Sequence, residues 1–217
     1  MPLTPSQLAA LRQDYALRGL HREDLHPDPV QQFGAWLAEA VAQQILEPNA
    51  MVLSSVDAAG QPWSRTVLLK ACEAHGFTFF TSYTGAKAQQ LADNARCALT
   101  FWWSGLERQV NIAGIATRTS AEESDAYFAL RPLESRLGAW ASSQSEVLAN
   151  RAVLEARWEE ARARFADGDV PRPEGWGGYC VEAHAIEFWQ GRRSRLHDRF
   201  RYTRRSADDW KIERLAP

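Results

Sequence analysis

Long apolar runs, paired cysteines and glycine-rich fingerprints are all missing from this sequence. No stretch approaches the ~18 consecutive apolar residues of a membrane span. The N-terminus, MPLTPSQLAALRQD, lacks the basic patch and apolar run of a secretory signal, so a cytoplasmic location is expected. The cysteines are few: Cys72, Cys97 and Cys180 are odd in number, far apart and without CxxC spacing. That argues against a disulfide framework or a zinc site and fits buried thiols in a reducing compartment. GxGxxG, GxxxxGK, GxSxG and HExxH are absent, which removes the main support for dinucleotide-fold, P-loop, serine-hydrolase and zinc-enzyme chemistry. Charge of one sign is lacking too. With 25 Lys and Arg against 27 Asp and Glu the net charge is -2, so the overall balance calls for neither nucleic acid nor an anionic membrane, and any basic site must be local.

What is there is a core-forming chain: 217 residues, 45% hydrophobic, with nine tryptophans able to serve cores, interfaces or planar-ligand pockets. Thr4-Pro5 starts a short helix carrying Leu8, Leu11 and Tyr15, and Asp28-Pro29 starts a longer one. In the second, Phe33, Trp36, Leu37, Ala40, Val41 and Ile45 form one apolar stripe. From Met51 the pattern shifts to β-rich runs, Met51 to Val56, Trp63 to Cys72 and Phe77 to Thr81, which read as an antiparallel meander. A helix from Thr84 to about Ala92 precedes two further runs, Cys97 to Trp103 and Arg108 to Thr117. Ser120 and Glu123 form a capping box opening a helix that Pro132 should interrupt. Ser145 to Phe165 reads as a mostly solvated helix. Final strands are expected near Tyr179 to Trp189, Arg195 to Tyr202 and Trp210 to Arg214. The order predicts one α+β domain over residues 1–217, an antiparallel sheet or small barrel with helices at its ends.

The chemistry is sought in cations embedded in β-patterned sequence. On a regular strand Arg195, His197 and Arg199 would share a face, and such a row repels itself unless an anion sits on it. Arg65 and Lys70, five apart, would face opposite sides and serve two anionic groups. Tyr127 and Arg131 share a helix face, with Ser135 a turn further if the helix survives Pro132, and together they make a plausible phosphate clasp. Each residue alone has an ordinary explanation: a strand arginine is commonly an edge residue, a helix-surface cation is commonly solvated, and a tryptophan such as Trp140 or Trp189 is commonly core. Only the set as a whole favours a site.

The strings RTVLLK, FFTSYTGAK, ERQV, YFALRPLESRLGAWASSQS, WGGY, EFWQG and RLHDRF, with the ending WKIERLAP, resemble the pyridoxine 5′-phosphate oxidase family in order and spacing from about Leu11 onward. The resemblance implies an FMN-binding split β-barrel, antiparallel and Greek-key-like with peripheral helices. It implies a homodimer with FMN at the subunit interface, and oxidation of a phosphorylated B6 vitamer by oxygen. By motif, Arg65, Thr66, Val67, Leu68, Lys70, Phe80, Thr81, Lys87, Gln109, Gln144, Ser145, Trp189 and Arg199 resemble the FMN contacts. Lys70, Tyr127, Arg131 and Ser135 resemble the clasp on the substrate phosphate. Arg195 and His197 resemble the catalytic pair over the pyridine ring, and Arg12 and Tyr15 a lid within residues 1–20. No metal is implied. One departure stands out: Ala86 occupies the place where the family often has arginine. Two alternatives stay open, a related flavin oxidase acting on another aromatic substrate such as a phenazine precursor, and a non-catalytic carrier of FMN or pyridoxal phosphate.

Overall fold

The structure is a computed structural model and describes residues 4–11, 15–74, 76–207 and 209–217. Their strands are β1 (Ala50–Val56), β2 (Pro62–Leu68), β3 (Ala71–Glu73), β4 (Gly76–Ser82), β5 (Arg96–Trp103), β6 (Arg108–Arg118), β7 (Trp176–Gln190), β8 (Asp198–Arg204) and β9 (Trp210–Leu215). The helices are α1 (Pro5–Ala10), α2 (Pro29–Ala42), α3 (Ala86–Asp93), α4 (Ala121–Ala129), α5 (Leu133–Ala141) and α6 (Arg151–Arg164). The fold is thus α+β with a large antiparallel sheet, ordered β2-β1-β5-β6-β7-β4-β3, with β8 on β7 and β9 on β8. Since β2 and β3 each have one neighbour, the path is open. None of the described helices is long and apolar enough to cross a membrane. Two compact units divide the chain, one from Met1–Pro48, Phe101–Asn111 and Ala185–Pro217, the other from Asn49–Thr100 and Ile112–His184.

In the first unit α2 starts where its sequence says, with the Asp28 carboxylate accepting the Val30 N–H and Pro29 in the first turn. Its stripe buries Phe33, Trp36 and Ala40. Phe33 packs on Phe101 at 4.8 Å and Trp36 meets Phe188 edge-on at 5.1 Å. Fully burying a side chain of this kind is worth ~2–3 kcal/mol. The polar tips are satisfied: Trp103 Nε1 donates to the Pro48 carbonyl and the Tyr202 hydroxyl to that of His26. Val41 departs from the stripe and is exposed. Thr4 and Pro5 start α1 as expected, but the helix ends at Ala10, so it carries Leu8 and neither Leu11 nor Tyr15, and it buries nothing.

In the second unit the β1–β2 hairpin is tied by Asp57, whose carboxylate accepts the N–H groups of Ala59 and Gln61 and the Trp63 indole N–H. The sheet is not the expected meander, because β1 also pairs β5, and β4 pairs β7 from Phe77↔Val181 to Ser82↔Trp176. Nor is Trp63 to Cys72 one strand. The Leu69 N–H turns to the Asn49 carbonyl and the Lys70 N–H to that of Thr78, so the run breaks into β2 and β3 without glycine or proline. The facing argument for Arg65 and Lys70 fails with it. Ser120 and Glu123 cap α4 reciprocally, and Pro132 ends that segment and opens α5, as its missing N–H requires. The last of these helices, α6, begins at Arg151 rather than Ser145, because Asn150 supplies the cap and Ser145 sits at φ 72°. Helices α4, α5 and α6 bury Phe128, Leu137, Ala141 and Ala161 with Val170 and Trp176. Cys97 is buried, whereas Cys72 and Cys180 are half-buried, a correction to the reading of three buried thiols.

Candidate functional site

The second unit holds a cavity of about 670 Å³, a size suited to a small organic ligand. Thr66, Val67 and Leu68 of β2 line it with Lys70, Phe80, Thr81, Lys87, Tyr127, Arg131, Ser135 and Gln144. Phe80 stacks on Tyr127 at 4.0 Å and on Trp176 at 5.5 Å, making an aromatic wall. The Lys87 ammonium donates to Thr81 Oγ1 at 3.2 Å and to Gln144 Oε1 at 2.5 Å. Lys70 Nζ lies 5.9 Å from the Tyr127 ring centroid. Arg131 spreads its guanidinium over Trp176 at 4.7 Å, and its Nη1 is buried without a hydrogen-bond partner.

Among the described residues, three cations line this cavity and no carboxylate does. Burial pushes the pKa of Lys87 down, with the Arg65 charge adding to the effect, and burial pushes that of Arg131 down against a smaller opposing influence of Tyr127. Desolvated, unneutralised cations favour an anion in their midst. The donor set therefore fits a phosphate ester such as FMN or a phosphorylated substrate. A larger cavity of about 830 Å³ lies in the first unit, but its cations Arg18 and Arg108 are paired with Asp24 and Glu39. Arg65 does not line the second unit's cavity; its guanidinium bonds Ser55 and Gln90. At the departure from the family pattern, the Ala86 N–H donates to Ser145 Oγ at 3.1 Å, which places Ser145 at the start of α3.

The first unit holds the remaining predicted residues. Arg195 and His197 are not on a strand, because Arg193–Arg195 forms a 3-10 turn and β8 starts only at Asp198. Ser194 and Arg195 take left-handed φ values of 57° and 61°. Such values for residues with a Cβ cost ~1–3 kcal/mol each. The shared cationic face is therefore absent, and Arg199 is not a free cation: it pairs through two nitrogens with Glu187, at 2.9 and 3.1 Å, and donates to the Ala216 carbonyl. His197 accepts the Arg192 N–H at Nδ1, and burial, then the Arg195 charge, pull its pKa down. Both effects favour the neutral ring with its proton on Nε2. Trp189 lies 4.5 Å from the His197 ring and 5.6 Å from Tyr15. Gln109 is half-buried in β6. Arg12 lies outside the described residues.

Tyr15 begins a segment held by two carboxylates that the sequence did not single out. Glu107, at φ 52° in the β5–β6 turn, accepts the Ala16 and Leu17 N–H groups, each at 3.2 Å. Asp198 accepts the Leu20 N–H at 3.1 Å and the Arg214 guanidinium at 2.7 Å. We predict that Glu107→Ala raises hydrogen–deuterium exchange at Ala16 and Leu17 by about tenfold, as expected for losing bonds to a charged acceptor. Unchanged exchange at both amides would remove Glu107 as the anchor.

Residues 37–165 match the family model described as pyridoxamine 5′-phosphate oxidase, and residues 176–217 match the pyridoxine 5′-phosphate oxidase C-terminal dimerisation region. The chain belongs to the pyridoxamine 5′-phosphate oxidase family. Within this family, pyridoxine/pyridoxamine 5′-phosphate oxidase from Rippkaea orientalis is 50% identical over 210 residues, covering 97% of this chain and 99% of the relative. That from Burkholderia mallei is 53% identical over 212 residues, with 97% and 99% covered. Among solved structures, PhzG from Burkholderia lata in complex with tetrahydrophenazine-1-carboxylic acid superposes with a TM-score of 0.87 at 29% identity, covering 94% of this chain and 100% of that one. A pyridoxamine 5′-phosphate oxidase-related, FMN binding protein from Nostoc punctiforme shares the fold, with a TM-score of 0.70 at 15% identity over 89% of this chain and 100% of that one.

For a member of the pyridoxamine 5′-phosphate oxidase family, the residues missed by sequence reasoning are Trp176, which lines the cavity, and the polar residues Ser55, Gln90, Glu107, Glu187 and Asp198, which hydrogen-bond predicted residues or their neighbours. One signal was legible, since Gln90 is three residues from Lys87 and thus close to its helix face. Glu187 reaches Arg199 only through the β7–β8 register, which no local pattern reveals.

Proposed function

We propose that this chain oxidises pyridoxine 5′-phosphate and pyridoxamine 5′-phosphate to pyridoxal 5′-phosphate, with oxygen reduced to hydrogen peroxide and ammonia released from the amine. The observation that carries the reading is the carboxylate-free cavity in which Lys70, Tyr127, Arg131 and Ser135 converge, with Arg131 Nη1 buried and unpartnered. FMN, when bound, would supply the redox chemistry for oxidation at the substrate's 4′ carbon with oxygen as the final acceptor. Lys87, Thr81 and Gln144, with the β2 backbone from Thr66 to Leu68, would hold it. Lys70 and Arg131 hold the substrate phosphate, and orientation of this kind contributes up to ~7 kcal/mol to such reactions. Neutral His197, fixed through Nδ1, presents Nε2–H as a donor, and Arg195 offers charge to the pyridine ring substituents. In this reading the open sheet path belongs to the split β-barrel architecture of the family, in a single domain over residues 1–217 with a lid within residues 1–20. The working form is a homodimer, which the matched dimerisation region supports, and its location is the cytoplasm.

A second reading, oxidation of another aromatic substrate, draws on the similarity to PhzG bound to tetrahydrophenazine-1-carboxylic acid. A substrate without phosphate leaves the Lys70 and Arg131 clasp unfilled, which favours the B6 vitamers. The deciding experiment is the visible spectrum of the FMN-loaded protein, taken anaerobically before and after pyridoxamine 5′-phosphate and again in air. Bleaching, recovery in air and pyridoxal phosphate formation are expected. A band that stays oxidised overturns the substrate class. In the same assay Arg195→Leu should lower turnover about tenfold or more, by removal of a charged contact, while leaving flavin content unchanged. Wild-type turnover in that variant takes Arg195 out of the site.

A further inference from the structure

Gln90 and Ser55 are buried, at 8% and 1% exposure, and polar side chains so placed need partners. Their partner is Arg65. Gln90 Oε1 accepts from Ser55 Oγ at 2.6 Å and from Arg65 Nη2 at 2.7 Å, while Ser55 Oγ accepts from Arg65 Nη1 at 2.5 Å. The ring of three is closed, and a carbonyl, that of Leu53, is a further acceptor at 3.4 Å. All these acceptors are neutral. A carboxylate in place of Gln90 would hold the guanidinium as firmly but would cancel its charge, as Glu187 does for Arg199. Gln90 also shares α3 with Lys87, so the same helix carries one cation of the cavity and the acceptor that orients another nearby.

We propose that Gln90, with Ser55, is a positioning residue that holds the Arg65 guanidinium behind the cavity wall, next to Thr66, while leaving its positive charge uncancelled and felt by a cofactor phosphate in the cavity. The proposal rests on the reading that the cavity binds FMN. It assigns Gln90 an electrostatic role, as a neutral acceptor, beyond its place in the packing of α3.

The test compares wild type, Gln90→Glu and Gln90→Met by FMN titration, followed through quenching of flavin fluorescence, and by the midpoint potential of the bound flavin. Gln90→Glu should raise the FMN Kd about tenfold, the size expected when a charge-assisted contact is neutralised, and should move the potential to more negative values. Gln90→Met, which frees Arg65 without adding charge, should raise the Kd with no negative shift. Variants that bind FMN like wild type, or that shift the potential alike, overturn the proposal. If Gln90→Glu does not fold, Ser55→Ala decides: a Kd raised several-fold supports the proposal, and an unchanged one overturns it. Wild type that fails to bind FMN sinks the cofactor reading itself and this proposal with it, an outcome visible before any substitution is made.

Discussion

Lys87→Met is expected to weaken FMN binding by roughly two orders of magnitude. The ammonium is half-buried, and its acceptors, Thr81 Oγ1 and Gln144 Oε1, are neutral, so its charge is available to a phosphate. With Ala86 beside it, no neighbouring arginine on that segment shares the load. Truncating one partner of a desolvated charge pair costs ~2–5 kcal/mol, and 1.4 kcal/mol is tenfold in affinity. The sign of the pH dependence follows from the lowered Lys87 pKa, caused first by burial and then by Arg65. Below that pKa the ammonium is charged and binding is full. As pH rises through it the affinity falls, earlier than for a free lysine, and a bound phosphate moves the transition upward. Fluorescence titrations of both proteins across alkaline pH check this. A variant within threefold of wild type, or a wild-type affinity flat with pH, removes Lys87 from the cofactor site.

The second large effect is expected at Arg131. Arg131→Leu should lower kcat/KM for pyridoxine 5′-phosphate by about a hundredfold or more, again from the cost of a lost desolvated charge contact, with flavin content preserved. Stability should move the other way. Arg131 Nη1 is buried with no partner, and an unsatisfied buried donor costs ~1–3 kcal/mol, so its removal should leave Tm unchanged or raised. The guanidinium's contact with Trp176 at 4.7 Å offsets part of that gain. Opposite signs for activity and stability mark a group kept for its ligand rather than for the fold. Steady-state kinetics and thermal unfolding on one preparation test both. A substantial loss of Tm with unchanged kcat/KM would make Arg131 a structural residue.

The features legible in the sequence are those whose causes lie within a few residues. Asp28 and Pro29 start α2, Ser120 and Glu123 cap α4, and Pro132 divides α4 from α5, because each device acts on backbone groups within one turn. Where the cause is distant, the reading failed. Nothing in TVLLKAC marks the break after Leu68, since the groups that turn the backbone there belong to Asn49 and Thr78. The expected strand from Arg195 likewise gave way to a turn, whose closure involves the Arg192 N–H on His197 and the pinning of Asp198 by Arg214 and Leu20.

By itself, then, the sequence determined the starts of α2 and α4 and the break at Pro132, the existence of a β-rich middle, the family, and which cations were candidates for an anion site. Which of those cations remain uncancelled was decided by tertiary structure alone. Arg199 meets Glu187 across the β7–β8 pair, Arg65 meets the neutral Gln90 and Ser55, and Arg131 keeps a buried donor with no partner. The physical reason is range: capping and periodicity act over one turn of backbone, whereas the state of a buried charge depends on which side chains the fold brings within a hydrogen bond of it.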